Sequence, residues 1–418
     1  MRRNSSLGSV GFSARGGRSR RRHGGSSKLP YLILIGILIV LLGIAAFLWV
    51  RRSPAEHVSS VPAATETDSE NGVISLDNAS APADDSLEGV IAQAKLLADG
   101  YDYDGAINLL SSSTYASDES VTAAIDEYNA TKETLVRADP HKVTHVFFHT
   151  LIMDTSKAFD GDSREKGYNQ VMTTKDEFMK ILQSMYERGF VLVRLHDVAY
   201  EVTAEDGSRH FQEGDIMLPE GKKPFVMSQD DVCYYEYMDG DGFASRMIIG
   251  EDGKPTNEMK MDDGSVSVGS YDLVPLLDDF IKEHPDFSYK GAKAIIALTG
   301  YEGILGYRTA SSYSETPDYE SEKEQAARVA QCLRDDGWEL ASHSWGHLWM
   351  GVSDDPENPY KISDERFYTD TDKWKNEVES LIGPTDIYIY PNGNDVADWH
   401  PYTEENYRYQ YLASKGFR

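Results

Sequence analysis

The chain has 418 residues, 40% of them hydrophobic and 11% aromatic, which excludes both a wholly disordered protein and a small disulfide-stapled domain. Its charge is unevenly distributed, because residues 1–52 contain ten Lys or Arg and no acidic residue, which leaves 31 basic and 69 acidic side chains in the remainder. The acidic part of the chain, after residue 52, repels phosphate backbones, so the composition argues against nucleic acid as its partner.

Residues 29–50 form an apolar segment of 22 positions without a charged side chain. This is long enough for a transmembrane helix, and it exceeds the roughly 7–15 apolar residues of a cleaved signal peptide. Eight Lys or Arg residues precede the segment and two follow it directly, which predicts a cytoplasmic N-terminus and an extracellular remainder. The sequence therefore predicts a single-pass protein anchored in the cell membrane, with a cleaved signal peptide as the alternative.

Composition separates three further segments. Residues 1–28 are rich in Gly, Ser and Arg, and we interpret them as a disordered cytoplasmic tail, with a nucleic-acid-binding arm as the alternative. Residues 51–84 contain too few large apolar residues to bury a core, which indicates an exposed extracellular stalk. Within 85–137, apolar residues recur at helical spacing, which predicts a small helical hairpin that acts as a spacer.

From residue 138 to 418, short apolar runs alternate with amphipathic segments, the pattern of an α/β fold with a parallel sheet or barrel. The predicted strands are 143–148, 190–195, 224–227, 292–298, 338–342 and 386–390. The predicted helices are 174–188, 271–283, 320–336, 371–381 and 404–415. In such folds chemistry collects at the carboxyl ends of the strands, so the polar residues that follow each strand are the candidates for a site.

Two strand ends carry residues typical of a metal site. Asp230 and Asp231 follow the strand 224–227, and adjacent carboxylates repel each other unless a cation or a proton lies between them. His343 and His347 follow another strand and are four residues apart, so a tight turn would let both reach one ion. Two histidines and one carboxylate leave an open coordination position, as hydrolytic zinc sites require.

Two other strand ends offer groups for substrate. Tyr390, Pro391, Asn392 and Gly393 form a predicted turn that can aim a backbone N–H at an oxyanion. His149 ends the first predicted strand and is a candidate substrate ligand at the cleft, with a structural role as the alternative.

The motifs and their order resemble the polysaccharide deacetylase (NodB-like) family, over residues 222–418 with a similar lead-in from 141. That family has a Thr/Ser-Phe-Asp-Asp-Gly motif, then His-Ser/Thr-x-x-His, then a Pro-aromatic-Gly turn. The resemblance implies a deformed (β/α) barrel in which Asp230 is the general base and Asn392 supplies the oxyanion N–H. It implies ligands for a divalent metal, most often zinc, at Asp231, His343 and His347.

The resemblance also implies a substrate: an acetylated polysaccharide, such as the N-acetylglucosamine units of peptidoglycan or another wall glycan. Tyr390 in the third motif and Arg308 are the further candidates for substrate binding. Arg308 could also replace the arginine that orients the base in many members of the family, because Ile389 stands at that position here. An ordinary surface arginine is the alternative for Arg308.

The chain departs from the family pattern in other places as well. Gln229 replaces the usual Phe and Val232 the usual Gly of the first motif. The late motifs, which supply a general-acid His and an acetate pocket in the family, have no counterpart before Arg418, so we expect an incomplete C-terminal end of the catalytic domain. Two other functions stay open: a metal-free relative that only binds wall glycan, and a surface scaffold whose helical hairpin recruits partners.

Overall fold

The computed structural model describes residues 84–352, 357–397, 400–403 and 405–418. The predicted cytoplasmic tail, the apolar segment and all but the last residue of the stalk lie outside the described residues. Within the described ranges, no helix is both long and apolar enough to cross a bilayer.

The structure alternates helices and strands, which we number in chain order. The helices are α1 (Leu87–Asp99), α2 (Tyr103–Ser112), α3 (Glu119–Lys132), α4 (Thr155–Ala158), α5 (Glu165–Val171), α6 (Lys175–Glu187), α7 (Leu195–Val198), α8 (Leu273–Glu283), α9 (Tyr319–Asp335), α10 (Asp364–Trp374), α11 (Ser380–Ile382) and α12 (Tyr407–Ser414). The strands are β1 (Val136–Arg137), β2 (Thr144–Phe148), β3 (Phe190–Leu192), β4 (Ala199–Thr203), β5 (Arg209–Glu213), β6 (Met217–Leu218), β7 (Lys223–Gln229), β8 (Arg246–Ile249), β9 (Pro255–Lys260), β10 (Val266–Gly269), β11 (Ile295–Leu298) and β12 (Glu339–Ser342).

The first three helices pack around a small apolar core of their own, in which Ala94 and Leu110 are fully buried. Each helix begins at a Ser or Asp whose side chain accepts a hydrogen bond from a free backbone N–H of the first turn. Tyr101 joins this unit to the rest of the chain, because its ring stacks on Tyr289 at 6.3 Å and its hydroxyl donates to the carbonyl of Asp286.

The central sheet is parallel and has the order β12-β11-β7-β2, with β3 beside the first half of β7. The predicted α/β class with a parallel sheet is therefore confirmed. The five strands form an open sheet, and no closure into a barrel is seen among the described residues. The predicted strand 386–390 contributes only a parallel bridge, between Ser342 of β12 and Tyr388.

Side chains alternate between the two faces of this sheet. Phe225 and Met227 of β7 pack in the large core, which also includes buried side chains of α6, α8, α9 and α10. Val226, between them, belongs to a second and smaller apolar cluster with Ala297 of β11 and Ala341 of β12. On the same face of the sheet, the side chains nearer the carboxyl ends of the strands are polar. Ser228 and Asp230 follow Val226 at two-residue steps, Thr299 follows Ala297, and His343 follows Ala341. The fold thus gathers polar side chains of three strands at one edge of the sheet.

Short antiparallel strands, which the sequence pattern does not predict, lie outside the central sheet. They form the three-stranded sheet β10-β9-β8, the hairpin β4-β5 and the pair β1-β6. Every residue of β5 is exposed, so this strand lacks the alternation of apolar and polar residues that identifies a half-buried strand.

Candidate metal centre and active site

The turn after β7 carries the two adjacent carboxylates. The backbone N–H of Asp230 donates to the carbonyl of Phe148 at 2.8 Å, so the parallel pairing with β2 continues up to this residue. Asp231 has a φ of +58°, in the left-handed region, where an Asp is tolerated better than most side chains. The strand therefore ends at Asp230, and the chain changes direction at Asp231.

Gln229, which departs from the family motif, belongs to a buried polar network beneath this turn. Its Nε2 donates to Oδ2 of Asp272 at 2.8 Å, and the same oxygen accepts the hydroxyl of Tyr234 at 2.7 Å. Oδ1 of Asp272 accepts the backbone N–H of Leu151 at 2.9 Å. Burial raises the pKa of Asp272, and these donors oppose the rise because they stabilise the carboxylate. The network fastens the turn to the start of α8.

The turn after β12 carries both histidines. His343 is 2% exposed, and its backbone N–H donates to the carbonyl of Leu298 at the end of β11. Ser344 and His347 have φ values of +61° and +51°, so the chain coils tightly between the two imidazoles. Left-handed residues other than glycine persist only where the surroundings hold them in place.

Asp370 of α10 holds this turn. Its Oδ1 accepts Oγ of Ser344 at 2.7 Å and the N–H of Trp345 at 2.9 Å, and its Oδ2 accepts the N–H of Gly346 at 2.7 Å. Burial raises the pKa of Asp370, against the lowering effect of these three donors. One buried carboxylate thus binds three consecutive residues that lie between the two histidines.

Asp231, His343 and His347 converge. One ligand atom of each lies within 4.8 Å of the others, and Nε2 of His347 is 3.5 Å from Oδ2 of Asp231. Nδ1 of His343 lies 2.9 Å from the carbonyl oxygen of Ile389; a carbonyl can only accept, so Nδ1 carries a hydrogen and Nε2 is the ring nitrogen left to bind a metal. Burial is the main cause that lowers the pKa of His347, which favours the neutral imidazole that a metal binds.

This donor set fits a divalent metal ion. Two neutral imidazoles and one carboxylate are the ligands of open, catalytic zinc sites. The side chains of Asp231 and His347 are 18% and 31% exposed, so a small molecule has access from solvent. Tyr235 supports the carboxylate, because its hydroxyl is 3.2 Å from Oδ1 of Asp231 and 2.8 Å from Oγ1 of Thr299.

Asp230 lies beside these ligands without belonging to the group of three. It is 6% exposed, and its Oδ1 accepts the hydroxyl of Ser228 at 2.9 Å. Its charge acts on His347, whose pKa it raises slightly against the effect of burial. A carboxylate in this position can exchange a proton with a molecule bound at the three ligands.

The third predicted motif lies next to the second. Ser342 of β12 is hydrogen-bonded on both sides to the segment 386–390, and Nδ1 of His343 bonds to Ile389 within it. Tyr390 is half-buried, and burial raises its pKa. Asn392 follows in the short turn Pro391–Gly393, where it is exposed and has a φ of +59°.

The two other predicted residues occupy different environments. His149 is half-buried, its Nδ1 is 2.9 Å from the carbonyl of Val171, and its charge helps to lower the pKa of His347, which places it near the metal ligands. The structure does not bring Arg308 to Asp230. The guanidinium instead donates to the carbonyl of Tyr234 at 2.7 Å, so it holds the chain beyond the carboxylates.

A cavity of about 630 Å³ opens beside the histidine turn. Trp345 and Gly346, which separate the two ligands, line it together with Tyr301 and one face of α10. The ring of Tyr301 stacks on that of Tyr235 at 4.9 Å, and Tyr235 contacts Asp231. An aromatic surface therefore connects the metal ligands with the cavity.

Sequence reasoning missed Asp370, Asp272 and Tyr235, because each acts through contacts distant in sequence and lies in a segment of ordinary composition. His145, which contacts Ser228, had a usable signal. It lies on β2 four residues before His149, which directly follows the strand, and residues an even number apart point to the same face.

Comparisons with known proteins show weak similarity at the level of structure alone. No protein-family model matches the chain, and no curated protein matches it. Among solved structures, the chain is similar to a de-N-acetylase from Aggregatibacter actinomycetemcomitans, with 14% identity and a TM-score of 0.33. That match covers 66% of this chain and 85% of the other.

Proposed function

We propose that this chain is a metal-dependent hydrolase that removes acetyl groups from a cell-surface polysaccharide, with the N-acetylglucosamine units of peptidoglycan or a related wall glycan as the substrate. The observation that carries the proposal is the convergence of Asp231, His343 and His347 beside a separate carboxylate, Asp230, at the carboxyl edge of a parallel sheet. Metal-assisted hydrolysis requires side chains that bind the metal and a nearby general base, and this arrangement offers both.

The three converging side chains would hold the metal, and zinc suits two imidazoles and one carboxylate. A bound divalent metal would supply Lewis-acid activation of the attacking water and of the acetyl carbonyl. The role of Tyr235 is to keep Asp231 oriented through the hydroxyl contact at 3.2 Å. Ile389 fixes the tautomer of His343 through its carbonyl.

Asp230 is the general base of the proposed reaction. It takes a proton from the attacking water, whose oxygen bonds to the acetyl carbon. When the carbon–nitrogen bond breaks, Asp230 returns the proton to the leaving nitrogen, so that acetate and a free amine result. The N–H of Asn392 donates to the oxygen on which negative charge develops. General acid–base assistance of this kind contributes about 10²–10⁴-fold.

The surroundings of the site suit a neutral sugar. Tyr301 offers an aromatic surface in the cavity, on which the apolar face of a pyranose ring can pack, and Glu365 and Arg366 can hydrogen-bond sugar hydroxyls. Lys373 lies 3.4 Å from the centre of the Trp345 ring and covers part of that surface. Tyr390 and His149 are assigned to substrate contacts. The strongly acidic body argues against nucleic acid as a substrate.

We further propose that residues 29–50 anchor the protein in the cell membrane with the catalytic region outside. The support is the apolar length of this segment and the excess of basic residues before it. A wall polysaccharide is then the acetylated polymer that the enzyme meets.

The test is acetate release by the purified full-length chain from N-acetylglucosamine oligomers and from peptidoglycan fragments, with and without a chelator. We expect release that the chelator abolishes and added zinc restores. A protein that binds the oligomers but releases no acetate and binds no metal would instead be a glycan-binding relative.

A further inference from the structure

Asp230 is the end of a chain of two hydrogen bonds that crosses from β7 to β2. Oγ of Ser228 lies 2.9 Å from Oδ1 of Asp230, and Nε2 of His145 lies 2.9 Å from the same hydroxyl. Ser228 is fully buried, so its hydroxyl depends on protein partners. The sheet register makes the contact possible, because Phe147, two residues beyond His145, is the direct partner of Ser228.

The direction of these hydrogen bonds follows from the chemistry of the groups. A carboxylate only accepts, so the single hydroxyl hydrogen of Ser228 is donated to Asp230. The hydroxyl oxygen must then accept from His145, which requires a hydrogen on Nε2. His145 is an exposed residue of β2, and only its Nε2 faces the buried hydroxyl. Desolvation of the ring lowers its pKa more than the charge of Asp230 raises it, but it is the direction of the hydrogen bonds that assigns a hydrogen to Nε2.

The other candidates for orienting Asp230 are occupied or unsuitable. Ile389 has no polar side-chain atom and serves His343 through its backbone. The guanidinium of Arg308 is bound to the carbonyl of Tyr234. Ser228 is therefore the side chain that the described structure shows hydrogen-bonded to the carboxylate of Asp230.

We propose that Ser228 and His145 are positioning residues, which fix one carboxylate oxygen of Asp230 so that the other oxygen faces the attacking water. This inference rests on the proposed function, in which Asp230 is the base. It adds two residues that lie outside the group of metal ligands but determine how the base is oriented. A misplacement of a reacting group by about 1 Å can lower a rate about 10²-fold.

The test compares four variants: Ser228→Ala, Ser228→Thr, His145→Phe and His145→Gln. Thr keeps the hydroxyl and Gln keeps an N–H donor. We expect Ser228→Ala and His145→Phe to lower kcat for acetate release from chitopentaose by about 10–100-fold with unchanged KM and zinc affinity. Ser228→Thr and His145→Gln should recover most of the loss.

A matched control is Ser288→Ala, which removes another buried serine hydroxyl, one that donates to the carbonyl of Ala292 at 2.7 Å. It should leave kcat unchanged even if it lowers stability. The inference is overturned if Ser228→Ala keeps the wild-type kcat while Asp230→Asn is inactive. It is also overturned if Ser288→Ala lowers kcat as much as Ser228→Ala does.

A measurement independent of activity separates this inference from the proposed function. In ¹⁵N-labelled protein, Nε2 of His145 should have the chemical shift of a protonated nitrogen, and Ser228→Ala should move it while the shift of His210, on the separate hairpin β4-β5, stays unchanged. If the wild type releases no acetate, the proposed function fails, and the His145 shift alone decides whether the hydrogen-bond chain exists. An unprotonated Nε2 overturns the inference at any activity.

Discussion

Replacing Asp370 by Asn should weaken metal binding although Asp370 is not a ligand. The side chain lies on α10 and accepts three hydrogen bonds from the turn between the two histidines. Asn has nearly the same volume but only one acceptor oxygen, so at least one buried donor of Ser344, Trp345 or Gly346 would face an NH₂ group. The substitution therefore removes hydrogen bonds that hold the turn between the histidines, and it does so without creating a cavity.

The magnitude follows from the number of donors and their burial. Leaving one buried donor without an acceptor costs about 1–3 kcal/mol of stability. The turn also contains two left-handed residues, Ser344 and His347, which rely on these hydrogen bonds to keep their conformation. Loss of such support around metal ligands lowers affinity about 10–100-fold.

The assay is zinc affinity by competition with a chromophoric chelator, together with urea unfolding of the metal-free protein. Thr371→Val is the matched control, because Thr371 is the next residue of α10, is buried, and hydrogen-bonds only within its own helix to the carbonyl of Phe367. We expect the control to lose some stability and keep its zinc affinity. An Asp370→Asn protein that binds zinc as tightly as the wild type would refute the reasoning.

Three further predictions concern other parts of the molecule. His196 lies between Asp386 and Glu339, whose hydrogen bonds raise its pKa from 6.5 to about 10, so its contribution to stability is complete below pH 6.5 and disappears as the pH rises through about 10. His196→Asn should accordingly lower the urea midpoint more at pH 6 than at pH 10.5, by a modest amount because the imidazole is 45% exposed; an equal loss at both pH values contradicts this. Gln229→Met should destabilise the protein by about 1–2 kcal/mol in urea unfolding, because it removes a donor to the buried carboxylate of Asp272; unchanged stability would mean that this donor is dispensable. Protease added to intact cells should digest everything after the N-terminal apolar segment, whereas a protected body would disprove the proposed orientation.

The sequence was sufficient to predict the elements that place the ligands. The strands that end before Asp230 and His343 are short apolar runs, and parallel strands bring their carboxyl ends to one edge. Local pattern could therefore indicate that Asp231, His343 and His347 meet. It could not show that the segment 386–390 pairs through a single bridge, because its apolar residues fit a longer strand equally well.

The residues that hold the metal ligands in place could not be predicted from the local sequence pattern. Asp370 lies 23 residues after His347 in a helix with many other charged residues, and only the tertiary fold directs its carboxylate at the histidine turn. Arg308 shows the limit of residue type alone: it fits the missing base-orienting group, but its guanidinium donates to the carbonyl of Tyr234. Ser228 was visible within the motif, and its partner His145 required the register of β2 against β7.

The central claim is that one metal ion held by these three side chains drives hydrolysis with Asp230 as the base. It is tested most directly by titrating zinc into the metal-stripped full-length chain while acetate release from chitopentaose is recorded. The account predicts that activity rises to a plateau at one zinc per chain, that His343→Ala requires far more zinc, and that Asp230→Asn binds one zinc and releases almost no acetate. Acetate release that is independent of zinc, or that persists in Asp230→Asn at the wild-type rate, would contradict it.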